Sequence, residues 1–200
     1  QYIARILQHE GYAVKTGQII PGLCVDHEID VIAKKENTCI TVECKYHNSP
    51  EIICNVRTPL YIHARFLDIQ KNWCLQAANK GTTFRCQIVT NTRFSEDAIK
   101  YCSCSGLEAI SWDFPANHAL KDRVDSMGLY PVTCLTSLTK AEKQKLLDKR
   151  LVLCSDLKDH EKILLELGIR GTRLNVVMNE VKQLCNAFRP DQRGLRFNKK

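Results

Sequence analysis

The sequence predicts an α/β domain built on a mixed β-sheet, followed by a small all-α domain. Three observations predict it. Apolar runs of strand length alternate with helix-periodic segments as far as Trp112. From Leu120 onward every periodic segment is helical. The charge divides at the same place: residues 1–117 hold 12 basic and 12 acidic side chains, whereas residues 118–200 hold 17 and 10. The whole excess of +7 therefore lies in the second part, which suits it to holding a polyanion. A lysine-rich helical surface facing only solvent accounts for the same count.

The elements follow in order. Tyr2, Ile3, Ile6 and Leu7 have helical spacing, and Gly11 ends that helix. Tyr12-Ala13-Val14 opens a short strand, and Ile19 to Leu23, with Pro21-Gly22, reads as a turn. Ile29–Ala33 and Cys39–Cys44 are two strands joined by the polar turn Lys34-Lys35-Glu36-Asn37. Residues 56–78 are helical, with Leu60, Ala64, Leu67 and Leu75 as the apolar positions and Pro59 near the start. On that helix Arg65 and Asp68 are spaced for a local ion pair, and Arg65 is otherwise placed to meet a phosphate. Phe84–Val89 is a strand. Ser95 caps a helix over 95–103, with Glu96 and Asp97 in its first turn, and Gly106 closes it before the strand Leu107–Trp112.

The domain boundary is expected near Pro115–His118, giving domains 1–117 and 118–188 and a basic, disordered tail over 189–200. In the second domain Leu120–Met127 is a short helix and Thr139 caps Lys140–Leu147. Leu151–Leu157 starts another helix, Gly168 breaks the next, and Arg173–Phe188 ends the domain.

No apolar stretch approaches the roughly 20 residues that span a bilayer, so no membrane partner is expected. Eleven cysteines without a C-x-x-C, many at apolar positions such as Cys44, Cys86 and Cys154, read as reduced, buried thiols of a cytoplasmic protein. Cys102 and Cys104 lack further ligands at zinc-like spacing. The chain opens with Gln1 inside a helix, as a piece of a longer protein would.

The chemistry concentrates on the two central strands. Asp30 lies in the first, and Glu43-Cys44-Lys45 ends the second. Alternation puts Glu43 and Lys45 on one face and Cys44 on the other. In a hairpin Asp30, Glu43 and Lys45 converge. Two carboxylates hold a divalent metal that keeps several waters, the Cys44 carbonyl is a third oxygen, and Lys45 orients or deprotonates the attacking water. On spacing alone, three surface charges on an edge hairpin are the plainer account of these residues. Glu28 shares a strand face with Asp30, either as a supplementary ligand or, with His27, as a solvated strand start.

The flanking sequence resembles the Mrr-like restriction endonuclease catalytic domain of the PD-(D/E)xK nuclease superfamily. The matching pieces occur in order: Gly11-Tyr12, Gly22 to Asp30, Glu43-Cys44-Lys45, then Thr90-Asn91-Thr92-Arg93-Phe94-Ser95 and Ala98. The resemblance covers residues 1 to about 113. It implies a restriction-endonuclease-like mixed sheet flanked by helices, and a Mg2+- or Mn2+-dependent DNA endonuclease of restriction or repair type. Asp30, Glu43 and Lys45 would be catalytic, and Asp30, Glu43 and Cys44 would be metal ligands. Two departures stand out. An acidic residue common in the family's first helix would fall before Gln1, and the glycines usual around the first acid are replaced by Asp26-His27-Glu28. The chain is also similar to the subgroup with an ATP-cone, which implies a nucleotide-sensing domain before Gln1.

In the second domain, Leu135–Leu157 and the passage from Ile163 through Gly168-Ile169-Arg170-Gly171 look like tandem helix-hairpin-helix units, as in the C-terminal domain of the RNA polymerase alpha subunit. Such units grip phosphate with backbone N–H groups at a helix start. The expected DNA contacts are Arg93, Lys149, Arg150, Arg170 and Arg173. A helical spacer or oligomerisation domain is the plainer account of the same helices. DNA is the expected partner, and a double-strand cut implies a homodimer. The alternative of another class is a non-catalytic nucleic-acid-binding or regulatory module with a nuclease fold.

Overall fold

The computed structural model describes residues 1–186. The expected tail over 189–200 and the end of the last helix near Phe188 lie outside the described residues. The chain divides into two compact units, the first holding Ile3–Asp122 and the second beginning at Arg123.

The first unit is a five-stranded mixed sheet with helices, as the sequence predicts. Helix α1 (Tyr2–His9) buries Ala4, Ile6 and Leu7. Strands β1 (Ala13–Pro21), β2 (Asp26–Lys35) and β3 (Thr38–Lys45) form an antiparallel meander. After the two-residue strand β4 (Ile53–Cys54), helix α2 (Arg57–Leu75) crosses to β5 (Thr83–Thr90), which lies parallel to β3. The short β6 (Arg93–Phe94) pairs with β4, and helix α3 (Glu96–Ser105) crosses to β7 (Glu108–Ile110), parallel to β5. The spatial order is β1-β2-β3-β5-β7.

Strand β3 is central. Its residues Cys39 to Glu43 are all buried, because parallel crossovers cover both faces of such a strand. The turn expected at Ile19–Leu23 is instead the end of β1, which runs through Pro21. β1 is an edge strand, where a proline without an N–H is tolerated. The buried stripe of α2 is Pro59, Ile62, Phe66, Ile69 and Trp73, not the expected Leu60, Leu67 and Leu75, which are exposed. Ile69 and Trp73 pack with Ile29, Ile32 and Cys39 of the sheet. Helix α3 begins as expected, with the Ser95 hydroxyl accepting the Ala98 N–H and Gly106 in the left-handed conformation at its end.

The second unit packs helices around Leu135, Leu146, Leu157, Leu164, Ile169 and Val177. Each buried aliphatic side chain contributes roughly 1.5–3 kcal/mol. Helix α4 (Leu120–Met127) contains the division between units. Helix α5 (Lys140–Asp148) starts with a full capping box, Thr139 and Glu142. The helix expected over Leu151–Leu157 is only a 3-10 turn at Cys154–Leu157. Its first residues are extended because Val132 N donates to the Val152 carbonyl and Cys154 N to the Tyr130 carbonyl. Helix α6 (Glu161–Glu166) is followed by α7 (Gly171–Asn186). The two hairpins share one helix-ending geometry. Arg150 (φ 62) and Gly168 (φ 82) are left-handed, and Leu151 N and Ile169 N reach back to the carbonyls of Leu146 and Leu164. Arg150 thus occupies the position that glycine fills in the second hairpin.

Candidate active site

The site arises where β2 and β3 separate. Their pairing ends at Val31 opposite Val42, so Asp30 and Glu43 lie just past the last rung. The Cys44 N–H donates to Asp30 Oδ2 at 2.8 Å and ties the separating strands together. A cleft of about 340 Å3 opens there, lined by Asp26, His27, Glu28, Asp30 and Glu43 from the sheet and by Tyr61 and Arg65 from α2. Four carboxylates face one guanidinium and one imidazole, so the cleft is acidic.

Glu43 is 9% exposed. A carboxylate so enclosed requires partners, and it has two: Lys45 Nζ lies 2.6 Å from Oε1 and Arg65 Nη1 lies 3.1 Å from Oε2. Arg65 also donates to the Glu28 carbonyl and sits 5.4 Å from the centre of the Tyr61 ring. The expected local pair between Arg65 and Asp68 does not form. Arg65 bridges strands instead, because it lies next to Phe66 on the side of α2 that faces the sheet. The helix's own periodicity does not select that face, so only tertiary packing assigns Arg65 to Glu43.

Asp68 turns to the hairpin between β1 and β2. It accepts His27 Nε2 at 2.8 Å and the N–H groups of Cys24 (2.9 Å) and Val25 (3.3 Å). The His27 hydrogen bond chiefly holds Asp68 well below the usual carboxylate range, and burial opposes it. His27 and Glu28, which the sequence left as a solvated strand start or, for Glu28, a supplementary ligand, line the cleft. Their anchoring by α2 was not legible from the local sequence.

The remaining expected residues fall as follows. Burial, and then the Asp30 carboxylate, push the Cys44 thiol up to about 12, so it is neutral at pH 7 and its carbonyl is the atom suited to a hard cation. Arg93 is exposed on β6 and does not line the cleft. Lys149, Arg150, Arg170 and Arg173 belong to the second unit and are exposed. Lys149 pairs with Glu166 at 2.8 Å, and Arg173 binds both oxygens of Glu142 at 2.8 and 2.7 Å.

Among the described residues no group of three or more His, Cys, Asp or Glu side chains is set to hold a metal ion. Asp30 and Glu43 offer two carboxylates, and the Cys44 carbonyl would complete an all-oxygen set. No described helix is long and apolar enough to cross a membrane. All eleven cysteines are free, with Cys86 and Cys154 buried.

Comparison with known proteins gives relatives over most of the chain. The family described as AF1548-like, C-terminal, matches residues 130–185. An uncharacterized protein of Archaeoglobus fulgidus is 34% identical over 183 residues, covering 91% of this chain and 99% of that protein. The crystal structure of AF1548, a protein of unknown function, is 34% identical with a TM-score of 0.72, covering 92% of this chain and 95% of the other. Weaker likeness extends to a repair endonuclease from Pyrococcus abyssi (17% identity, TM-score 0.38, 54% of this chain and 41% of that one). The MspJI restriction endonuclease in complex with a 27-mer oligonucleotide is similar at 13% identity and a TM-score of 0.33, over 55% and 24%. With one third of its residues shared over nearly the full length of both proteins, this chain belongs to the AF1548-like family.

Proposed function

We propose that the chain is a divalent-metal-dependent DNA endonuclease of restriction or repair type, working at Asp30, Glu43 and Lys45. The observation that carries this reading is the meeting of Asp30 and Glu43 on one cleft, with Lys45 Nζ on Glu43 Oε1. The donor chemistry fits Mg2+ or Mn2+: two carboxylates and the Cys44 carbonyl are hard oxygens, few enough to leave positions for water. The acidic lining would repel a phosphodiester, and a dication would offset most of that charge. When bound, the metal polarises the phosphoryl oxygen and acidifies a water. Lys45, held on Glu43 Oε1, would orient or deprotonate the attacking water and offset charge on the phosphate, and Arg65 keeps the Glu43 carboxylate in place.

Arg93, Arg150 and Arg170 are proposed to meet the DNA backbone. Lys149 and Arg173 join them only by exchanging Glu166 and Glu142 for phosphate. A double-strand cut needs two such centres, hence a homodimer. A second reading, a module that binds DNA without cutting it, draws on the fact that both Glu43 oxygens already rest on cations.

The test is cleavage of supercoiled plasmid, linear and branched DNA with Mg2+, with Mn2+ or with chelator, for wild type and Lys45→Ala. Metal-dependent cleavage that falls about 100-fold or more in Lys45→Ala is expected. Intact DNA of every form in the presence of metal overturns the enzyme reading, and DNA binding that persists without metal then selects the second.

A further inference from the structure

The same strands carry a second cavity at their other end. The cleft takes Asp30 of β2 and Glu43 of β3, whereas this cavity takes Ile32, Lys34 and Cys39. Cys39 and Glu43 are four residues apart, roughly 13 Å along a strand. The cavity has a volume of about 320 Å3 and lies between the β1–β2 ribbon, the end of α2 and β5.

Its chemistry is the reverse of the cleft's. The lining contains Lys15 and Lys34 and no acidic residue. Ala13 pairs with Lys34 and Lys15 with Ile32, so the two lysines stand diagonally on one face of neighbouring strands. Like charges so placed repel. Elsewhere in this sheet Lys45 pairs with Glu43 and Arg85 with Glu108, and Lys35 donates to the Glu10 carbonyl. Neither Lys15 nor Lys34 is in an ion pair among the described residues.

The apolar side is aromatic. Trp73 and Phe84 line the cavity with ring centres 5.0 Å apart and planes tilted by 35°. Two amides complete it. Gln18 Nε2 donates to the Thr16 carbonyl and Gln76 Oε1 accepts from Asn79, which leaves Gln18 Oε1 and Gln76 Nε2 for a ligand's edge.

A ligand that answers all three features has a flat ring with hydrogen-bonding edges and a compact anionic group. The volume sits at the small end of ligand pockets, roughly 300–1,000 Å3, which fits one nucleotide and not a dinucleotide. We propose that this cavity binds a single nucleoside monophosphate unit, its base against Trp73 and Phe84 and its phosphate between the Lys15 and Lys34 ammonium groups. The unit is either a free nucleotide or one residue of a single strand. The proposal is independent of cleavage at Asp30 and Glu43.

Trp73 reports on the site when Trp112, the other tryptophan, is replaced by Phe. Trp112→Phe protein is titrated with AMP, GMP, CMP and dTMP, with inorganic phosphate, with adenosine, and with a short single-stranded oligonucleotide, by fluorescence and by calorimetry. Saturable quenching by a mononucleotide, stronger than by phosphate or adenosine alone, is expected. Lys15→Ala and Lys34→Ala should each weaken it about tenfold, and Lys→Arg at either position should retain it. Quenching by the oligonucleotide alone, with the same dependence on both lysines, assigns the cavity to a strand. Both lysines are exposed, so the variants leave the core intact. If no nucleotide or oligonucleotide binds, or the double Lys15→Ala/Lys34→Ala variant binds as well as its parent, the proposal is overturned.

Discussion

Replacing Arg65 tests whether the cleft is built around Glu43. The Arg65 and Glu43 side chains are only 12% and 11% exposed, with 3.1 Å between Nη1 and Oε2. Removing one partner of a buried pair costs about 3–5 kcal/mol, because the other is left as an uncompensated charge. Here Lys45, one-third exposed, still holds the second Glu43 oxygen at 2.6 Å. Arg65→Met, which keeps the apolar stem, should therefore cost somewhat less, about 2–4 kcal/mol. Glu43→Gln leaves Arg65 and Lys45 without their carboxylate and should cost a similar amount. The double variant should cost little more than either single one, a coupling of about 1.5–3 kcal/mol. Urea unfolding followed through Trp73, in a Trp112→Phe background, reads the first unit alone and avoids treating a two-unit chain as one transition. Additivity within about 0.5 kcal/mol would falsify the pairing, and with it the argument that Arg65 fixes Glu43 for the cleft.

Three further outcomes are expected. A Cβ at Gly22 would lie 2.6 Å from the Val25 carbonyl and against the Asp68 carboxylate that holds the same turn, so Gly22→Ala should cost about 1–3 kcal/mol in a thermal melt; an unchanged melting temperature would mean the turn yields freely. Glu142 is held at about 2, chiefly by Arg173, and Glu180 also lies at about 2 although burial opposes it, because Thr136 and Ser137 hydrogen-bond to it. Both folded values lie below the ordinary 4.5, so their stabilisation is full above that pH and is lost as pH falls toward 2. The stability gap between wild type and Glu180→Gln should thus close over that window, and a gap independent of pH would count against the hydrogen bonds. Thr139→Ala removes the hydroxyl half of the α5 capping box and should cost about 1 kcal/mol by denaturant midpoint, with no loss if solvent replaces it.

Local signals were legible wherever the determining contacts are close in sequence. Ser95 and Thr139 were readable as caps because a cap bonds to an N–H three residues on. Arg150 is a residue whose conformation came only from the structure, which places it in the left-handed region that Gly168 fills in the second hairpin. Helix α2 was misread for a different reason. Its leucines and its Ile62–Phe66–Ile69–Trp73 set both repeat at helical spacing, so periodicity alone does not choose the buried face. Arg65 was assigned the nearest acid, yet its partners are Glu43 and the Glu28 carbonyl, 22 and 37 residues away.

The sequence by itself determined most of the element types, the mixed sheet followed by helices, and the candidate residues Asp30, Glu43 and Lys45. All of these rest on period, turn chemistry or a short motif, each set within a few residues of chain. Tertiary structure alone decided what surrounds those residues. It set Arg65 and Lys45 on Glu43, turned Asp68 to His27, and gave one sheet an acidic cleft at one end and a basic, aromatic cavity at the other. Charge environment depends on which strands and helices are brought together across tens of residues. A one-dimensional pattern holds no record of those distances.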